Sequence, residues 1–379
     1  MSLRVCMSVS SVRLLMLPWP HCRGKCPPEA AIPLLEGKSL AWHKIAGIDF
    51  VPIALKSSRP EDIASLIRSI HASFPCVCLS CMAEDTCLKI QKELLTGPSP
   101  ALVKEGSDPS SVIAVAAIMN AAKILHKEWN HLRVVLIGFH AANMRIVRLL
   151  VDGGVDRAGI AVCDGGGKKL FRDGSEVPAE LREFADLLVT PASTDASAAA
   201  DSASSPPGAG GRVQTSLSDC LTGADIVICQ TLEGNVVRLE KAWFACLGEN
   251  AMLMSLSSPE AEFVEAEARS AGVKIVCCPR QDAPNCVSPS YVMPAMALAA
   301  MKLESKVWGD RALLAAADRL ARYWEQSGGM KADAVVPPFE DVRGIEEIVV
   351  GLVAGSPAVE GVPALPEEDL RKWVREVQD

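Results

Sequence analysis

Apolar and polar positions along the 379-residue chain come in blocks that predict helices and strands in turn. Ala31–Leu55, AIPLLEGKSLAWHKIAGIDFVPIAL, reads as a helix that runs into a buried strand over Phe50–Leu55. RPEDIASLIRSIHASF sets Ile63, Leu66, Ile67 and Ile70 on one face, the spacing of an amphipathic helix, and its first turn carries acids that suit the positive end of the helix dipole. PCVCLSCM predicts a short strand and AEDTCLKIQKELL a second helix ending at Gly97. Pro98–Ser111 reads as a polar loop, Val112–Leu125 as a long Ala-rich helix and Val134–Ile137 as a strand.

The stretch RVVLIGFHAANMRIVRLLVDGGVDRAGIAVCDGGG, Arg133–Gly167, has the order of a dinucleotide-binding βαβ unit: apolar run, Gly, helical pattern, second apolar run, Asp. His140 stands where a phosphate loop wants its second glycine. Residues 190–212, within TPASTDASAAADSASSPPGAGGR, are small, Pro- and Gly-rich and nearly free of bulky side chains, the composition of a flexible surface insertion. Ala224–Gln230, Ala251–Ser255 and Val273–Cys278 are further buried-strand candidates. From Pro294 the chain reads as mainly helical, broken by Pro337-Pro338 and by the Gly/Pro-rich stretch 351–366. The alternation predicts an α/β architecture, and the length allows two domains with sizeable cores.

Composition narrows the classes. The chain is 49% hydrophobic with a net charge of −8 and no basic block, which argues against nucleic-acid binding. Its longest apolar runs, such as Met293–Met301, fall short of the roughly 20 residues of a membrane helix. The fourteen cysteines scatter through apolar segments, as thiols do in a reducing compartment. Cys76-Val-Cys78-Leu-Ser-Cys81 admits a zinc reading, but strand-like alternation accounts for it and no second pair of suitable spacing follows. Residues 1–26 carry Arg4, Arg13, Arg23 and Lys25 and no acid, a composition open to three readings: a targeting segment, an ordinary start, or a misplaced gene-model start. The compartment is read as cytoplasmic or mitochondrial.

From about Pro27 to Ala358 the chain resembles the malic enzymes, especially their short microbial NAD(P)-dependent form. The resemblance rests on PPEAAIPLLEGKSLAWHKIAGIDFVPIAL, the helix–strand–helix Glu61–Leu95 and the Rossmann unit. It continues through GADIVICQTLEGNVV, AEARSAGVKIVCCPRQDAPN and VVPPFEDVR. It implies a malic-enzyme-like N-terminal α/β domain (27–107), a Rossmann-type doubly wound domain (108–300, with the insertion) and a C-terminal helical segment (301–379). The implied reaction is oxidation of malate and decarboxylation to pyruvate with NAD or NADP and Mg²⁺ or Mn²⁺. Homo- or hetero-oligomers with a malic-enzyme-like subunit are also implied.

The resemblance places the general-base lysine at Lys38 and cofactor-binding positions at Gly138, Ala141, Ala142 and Asp164. Asp164 also reads as an acid opening the DGGG turn. The family's tyrosine acid has no counterpart, since the only tyrosines are Tyr291 and Tyr323. The family's metal-binding Glu-Asp pair falls on Ser80 and Cys81, and the two Asp residues of its metal loop fall on Glu105 and Gly106, the second being the metal-binding one. Glu105 is the acid retained as a metal-ligand candidate, and Glu84-Asp85, with Glu105 or Asp108, offers a shifted carboxylate set. The malate-binding amides fall on Ser258 and on Pro289, which has neither a side-chain donor nor an N–H. Asn285 survives as a turn residue or substrate contact. In GFHAAN, Gly138 keeps the tight turn, whereas His140 and Asn143 replace the glycines for phosphate approach and close packing.

Losses at the acid, metal, amide and phosphate positions, beside recognisable packing segments, point to a family member whose reaction is impaired or lost and which acts as a non-catalytic partner or regulator. An active NAD-dependent decarboxylating malate oxidoreductase with shifted ligands is the alternative. A different reaction using Lys38 and His140 is the third reading.

Overall fold

The computed structural model describes residues 32–55, 57, 59–80, 82, 84–139, 141–163, 182, 184–187, 216–231, 238–257, 260–280, 282–357 and 366–378, and the backbone alone of 5–11, 164, 167–168 and 188. The architecture is α/β. Its contacts form two compact units: Met1–His126 with Ser258–Glu260 and Cys277–Asp379, and Lys127–Ser257 with Ala261–Val276.

The first unit is built on a parallel sheet of β1 (Val5–Ser11), β2 (Asp49–Leu55), β3 (Cys76–Leu79) and β4 (Ala101–Lys104), in the order β2-β1-β3-β4. β1 comes from the stretch 1–26 and is an inner strand, paired with β2 on one side and β3 on the other. The connecting helices are α1 (Ile32–Ala46), α2 (Pro60–Ile70) and α3 (Glu84–Leu94), and α4 (Ser107–Ile124) follows β4. α2 opens with Pro60, whose missing N–H costs nothing at a helix start. Its Ile63 and Ile67 meet Val77, Leu79, Cys87, Ile90 and Leu102 in one core. Cys76 and Cys78 are buried strand residues in that sheet. Among the described residues no group of three or more His, Cys, Asp or Glu side chains is placed to hold a metal, and Cys81 lies outside them.

The second unit comprises β5 (Val134–Ile137), α5 (Ala141–Asp152), β6 (Ile160–Asp164), β7 (Gly167–Lys168), α6 (Ala185–Leu188), α7 (Leu217–Leu221), β8 (Ile226–Cys229), α8 (Lys241–Phe244), β9 (Met252–Ser255), α9 (Glu265–Ser270) and β10 (Ile275–Cys277). The strand order is β10-β9-β8-β5-β6-β7. Counted within the unit this is 3-2-1-4-5-6, the doubly wound Rossmann order, with the switch point between β5 and β8. β5, β6, β8 and β9 pair in parallel; β7 is antiparallel to β6. The insertion 190–212 lies outside the described residues.

The chain then returns to the first unit through α10 (Pro289–Leu303), α11 (Asp310–Gln326), α12 (Val342–Gly355) and α13 (Glu367–Gln378). α10 and α11 pack on α4, α12 packs on both, and α13 lies on α12. The units therefore differ from a linear division at 107/108 and 300/301. α4 is buried from Ser107 to Ile118 and needs cover on every side, which α10 and α11 supply. Among the described residues no helix is long and apolar enough to cross a membrane.

Candidate functional site

In the first unit the ends of β3 and β4 meet the starts of α3 and α4, the rim where α/β folds place ligand groups. Lys38, on α1, reaches this rim and pairs with Glu105: Nζ lies 2.6 Å from Oε1 and 2.8 Å from Oε2. Ser80, directly after β3, donates its hydroxyl to Glu105 Oε2 at 2.6 Å and accepts from Lys38 Nζ at 3.1 Å. The Glu105 N–H donates to Leu79 O and fixes the carboxylate to the sheet. The structure thus brings together two predicted positions, Lys38 and Glu105, as a direct ion pair. A paired ammonium has no lone pair with which to take a proton from an alcohol. Ser80 is fully buried, so it is no accessible nucleophile.

A second ion pair lies beside the first. Lys104 Nζ contacts Glu84 Oε1 at 2.7 Å, Ser107 Oγ at 2.9 Å and Asp108 Oδ2 at 3.2 Å, while Ser107 Oγ donates to Glu84 Oε1 at 2.8 Å. Successive residues at a strand end point to opposite sides, so Lys104 and Glu105 serve different partners. The Glu84-Asp85 pair divides likewise: Glu84 turns into this cluster, and Asp85 faces solvent and pairs with Lys89. Gly106 adopts φ +130°, and an added Cβ would collide with Glu84 Oε2. Glu84 Oε2 thus takes the space that a side chain at Gly106 would enter, and Glu84 is itself held by an ammonium.

These residues do not fit a divalent metal of the family kind. Such an ion needs two or three carboxylates open to it. Here Ser80 and Gly106 supply none, and Glu105 and Glu84 are each paired with a lysine. Nearby Cys87 is no substitute, because burial first and the charge of Glu84 next push its thiol far above the ordinary range. In the same unit, burial raises the Cys286 thiol to about 12.

The amide-type positions among the described residues, Asn285 and Pro289, are structural. Asn285 accepts from Val335 N–H at 2.8 Å and donates to Ala332 O at 2.7 Å, which clasps the 332–335 turn. Ser288 caps α10 and Pro289 is its first residue. Tyr291 donates to Asp341 O at 2.7 Å, and Tyr323 donates to the Asp341 carboxylate at 3.0 Å. Asp341 also caps α12 through Gly344 N–H. Ser258 and Pro259 lie outside the described residues, as does His140.

In the second unit Gly138 takes φ +116°, and an added Cβ would collide with Gln230 O, so the loops after β5 and β8 touch at the switch point. Ala141 and Ala142 open α5 as small buried residues. Asn143, fully buried, donates to Gly138 O at 2.7 Å and Ile137 O at 3.2 Å. The described residues thus fit the tight turn of a dinucleotide loop but not its close helix–strand packing, where a bonded amide replaces glycine. Asp164 ends β6, its backbone paired with Gly167.

Among the described residues of this unit Glu262 is a highly bonded carboxylate to which the sequence reading gives no role. It is 2% exposed and accepts from Thr231 N–H (2.9 Å), Thr231 Oγ1 (3.0 Å), Ser257 Oγ (2.5 Å) and Ser255 Oγ (2.7 Å). It locks the loops that follow β8 and β9. The signal was present only as scattered hydroxyls around one acid.

No protein-family model matches the chain. The bifunctional malic/malolactic enzyme of Bacillus subtilis is 25% identical over 357 residues, 92% of this chain and 79% of that protein. The NAD-dependent malic enzyme of Geobacillus stearothermophilus is 25% identical over 298 residues, 79% of this chain; the match spans 57% of that protein's length. The crystal structure of Entamoeba histolytica malic enzyme superposes with a TM-score of 0.80, covering 100% of this chain and 74% of that one, at 21% identity, a likeness of fold. In sequence and in fold the relatives are malic enzymes, which this chain resembles at about one residue in four identical and whose fold it shares.

Proposed function

We propose that the chain keeps the malic-enzyme fold without the family reaction and acts as a non-catalytic partner or regulatory subunit, in a homo-oligomer or beside an active malic-enzyme-like subunit. The observation that carries this reading is the pairing of Lys38 with Glu105 and Lys104 with Glu84, at a rim where Ser80 and Gly106 offer no carboxylate. The base position is held as an ammonium, and the metal positions are either non-acidic or neutralised from within. Core segments are retained because core losses cost several kcal/mol, whereas replacing positional acids costs little stability.

The alternative is an active NAD-dependent malate oxidoreductase with shifted ligands: Glu84-Asp85, with Glu105 or Asp108. What favours it is that Glu84 and Asp108 converge on one point of the first unit and that the Gly138 turn is kept. Malate-dependent reduction of NAD and of NADP, assayed with Mg²⁺ and with Mn²⁺ beside an active malic enzyme, separates the two. Our reading expects no turnover above the uncatalysed rate. Turnover that requires the divalent ion supports the alternative and refutes ours. Co-purification from the native source tests the partner role: a malic-enzyme-like subunit bound to the chain supports it.

A further inference from the structure

The Lys104 ammonium sits where three oxygens from three residues converge: Glu84 Oε1, Ser107 Oγ and Asp108 Oδ2, at 2.7 to 3.2 Å. Two carboxylates and a hydroxyl around one positive centre form the donor set of a cation site, and here the cation is tethered to β4. The lysine and Asp108 are both almost fully buried, with side-chain exposures of 5% and 3%, while Glu84 is 26% exposed at the cluster's outer side. Gly106, with its positive φ, leaves room for the Glu84 carboxylate to press against the backbone. A buried carboxylate such as Asp108, with a second carboxylate close by, is disfavoured without a cation, and the Lys104 ammonium supplies that charge.

We propose that Lys104 is a built-in replacement for a divalent ion: its ammonium occupies a carboxylate–hydroxyl cage of Glu84, Ser107 and Asp108, closes it to metals, and leaves a latent metal site that opens when the ammonium is removed. The inference deepens the functional reading above and rests on it. The distances suit an ammonium; Ca²⁺ draws oxygens to about 2.3–2.6 Å, so the cage must contract by a few tenths of an ångström. Glu84, at the first turn of α3 and partly exposed, has the freedom to do so.

The test compares the wild-type chain with Lys104→Ala and Lys104→Met by thermal unfolding, with Ca²⁺ or Mn²⁺ added at constant ionic strength. The wild type should not shift. Lys104→Ala, which empties the cage, should melt lower without metal. It should rise by about 4 °C or more once Ca²⁺ exceeds its dissociation constant a hundredfold, and EDTA should reverse the rise. Lys104→Met fills the stem's volume and should be destabilised without any metal response. In Lys104→Ala/Asp108→Asn the response should be lost. If Lys104→Ala cannot be isolated folded, its refolding yield with and without Ca²⁺ or Mn²⁺ gives the answer, and equal yields overturn the proposal. A metal-induced shift in the wild type overturns it too, as does a Lys104→Ala chain that folds and ignores both ions. The two readings fail separately. Metal-independent turnover of malate would sink the non-catalytic reading and leave the tethered cation standing, whereas an inactive wild type that binds Mn²⁺ through Glu84 would do the reverse.

Discussion

Replacing Glu262 by Ala and by Gln should have very different costs, because the four donors around it differ in freedom. Thr231 N–H is fixed by the backbone, while the hydroxyls of Thr231, Ser255 and Ser257 can rotate. In Glu262→Ala the part-buried N–H is left with only its long contact to Ser257 Oγ at 3.3 Å, at least one hydroxyl finds no acceptor, and a small void opens. At about 1–3 kcal/mol for each unsatisfied donor, the loss is about 3–5 kcal/mol. In Glu262→Gln the amide oxygen replaces Oε1 and keeps its three donors. The amide nitrogen faces Ser255 Oγ, which turns to accept. Losing the charge weakens these bonds but also removes the burden of a buried carboxylate, for a net cost of about 1 kcal/mol. The difference, about 3 kcal/mol, is roughly two orders of magnitude in an equilibrium constant. Because two units need not unfold together, the reading is best taken locally, by hydrogen exchange of the amides of β8 and β9. Equal exchange in the two variants, or less than about a tenfold rise in Glu262→Ala, would refute the account of Glu262 as the lock between these loops.

Two further outcomes follow from other parts of the fold. Gly106→Asp, which introduces the acid that the resemblance implies at this position, should not create a metal ligand. The positive φ of +130°, strained for any side chain, predicts a loss of about 1–3 kcal/mol, seen as a lower melting temperature that Mn²⁺ does not restore. The two tyrosines should ionise late: burial, then the Asp341 charge, raises Tyr291 well above its ordinary value. Burial, then the hydrogen bond to Asp341, raises Tyr323 to about 12. A raised folded-state value means this stability is complete below the unfolded value near 10 and is lost as pH rises through about 12. The native chain should show little phenolate absorbance at pH about 10.5 and the urea-unfolded chain a great deal; equal absorbance would refute the burial of the two tyrosines against Asp341.

The Rossmann unit was legible because its buried strands are continuous apolar runs: Val134–Ile137, Ile226–Cys229 and Met252–Ser255 fall within or match the predicted segments. Short and polar-edged elements were not. Pro98–Ser111 reads as a loop, yet Ala101–Lys104 forms a buried strand and α4 starts at Ser107. Its first turn, Ser-Asp-Pro-Ser, is polar because it lines the lysine cluster, and the hydrophobic pattern cannot report that. Gly351 and Gly355 look like breakers in sequence but lie inside α12. There the missing side chains let the helix approach the backbone of α11 at Ala316 and Ala312. At the candidate site the residue types were visible, but the partners were not. Lys104 is one lysine at the end of an apolar run, and only the fold shows that it meets Glu84, twenty residues earlier in the chain.

The proposed loss of the family reaction implies that this fold takes neither the metal nor the nucleotide of the malic enzymes. Thermal unfolding of the wild-type chain with NAD, NADP and Mn²⁺, each alone and then each nucleotide with Mn²⁺ and malate, tests it most directly. The account predicts a melting temperature that stays constant throughout. A clear rise with a nucleotide and a further rise with Mn²⁺ would contradict it.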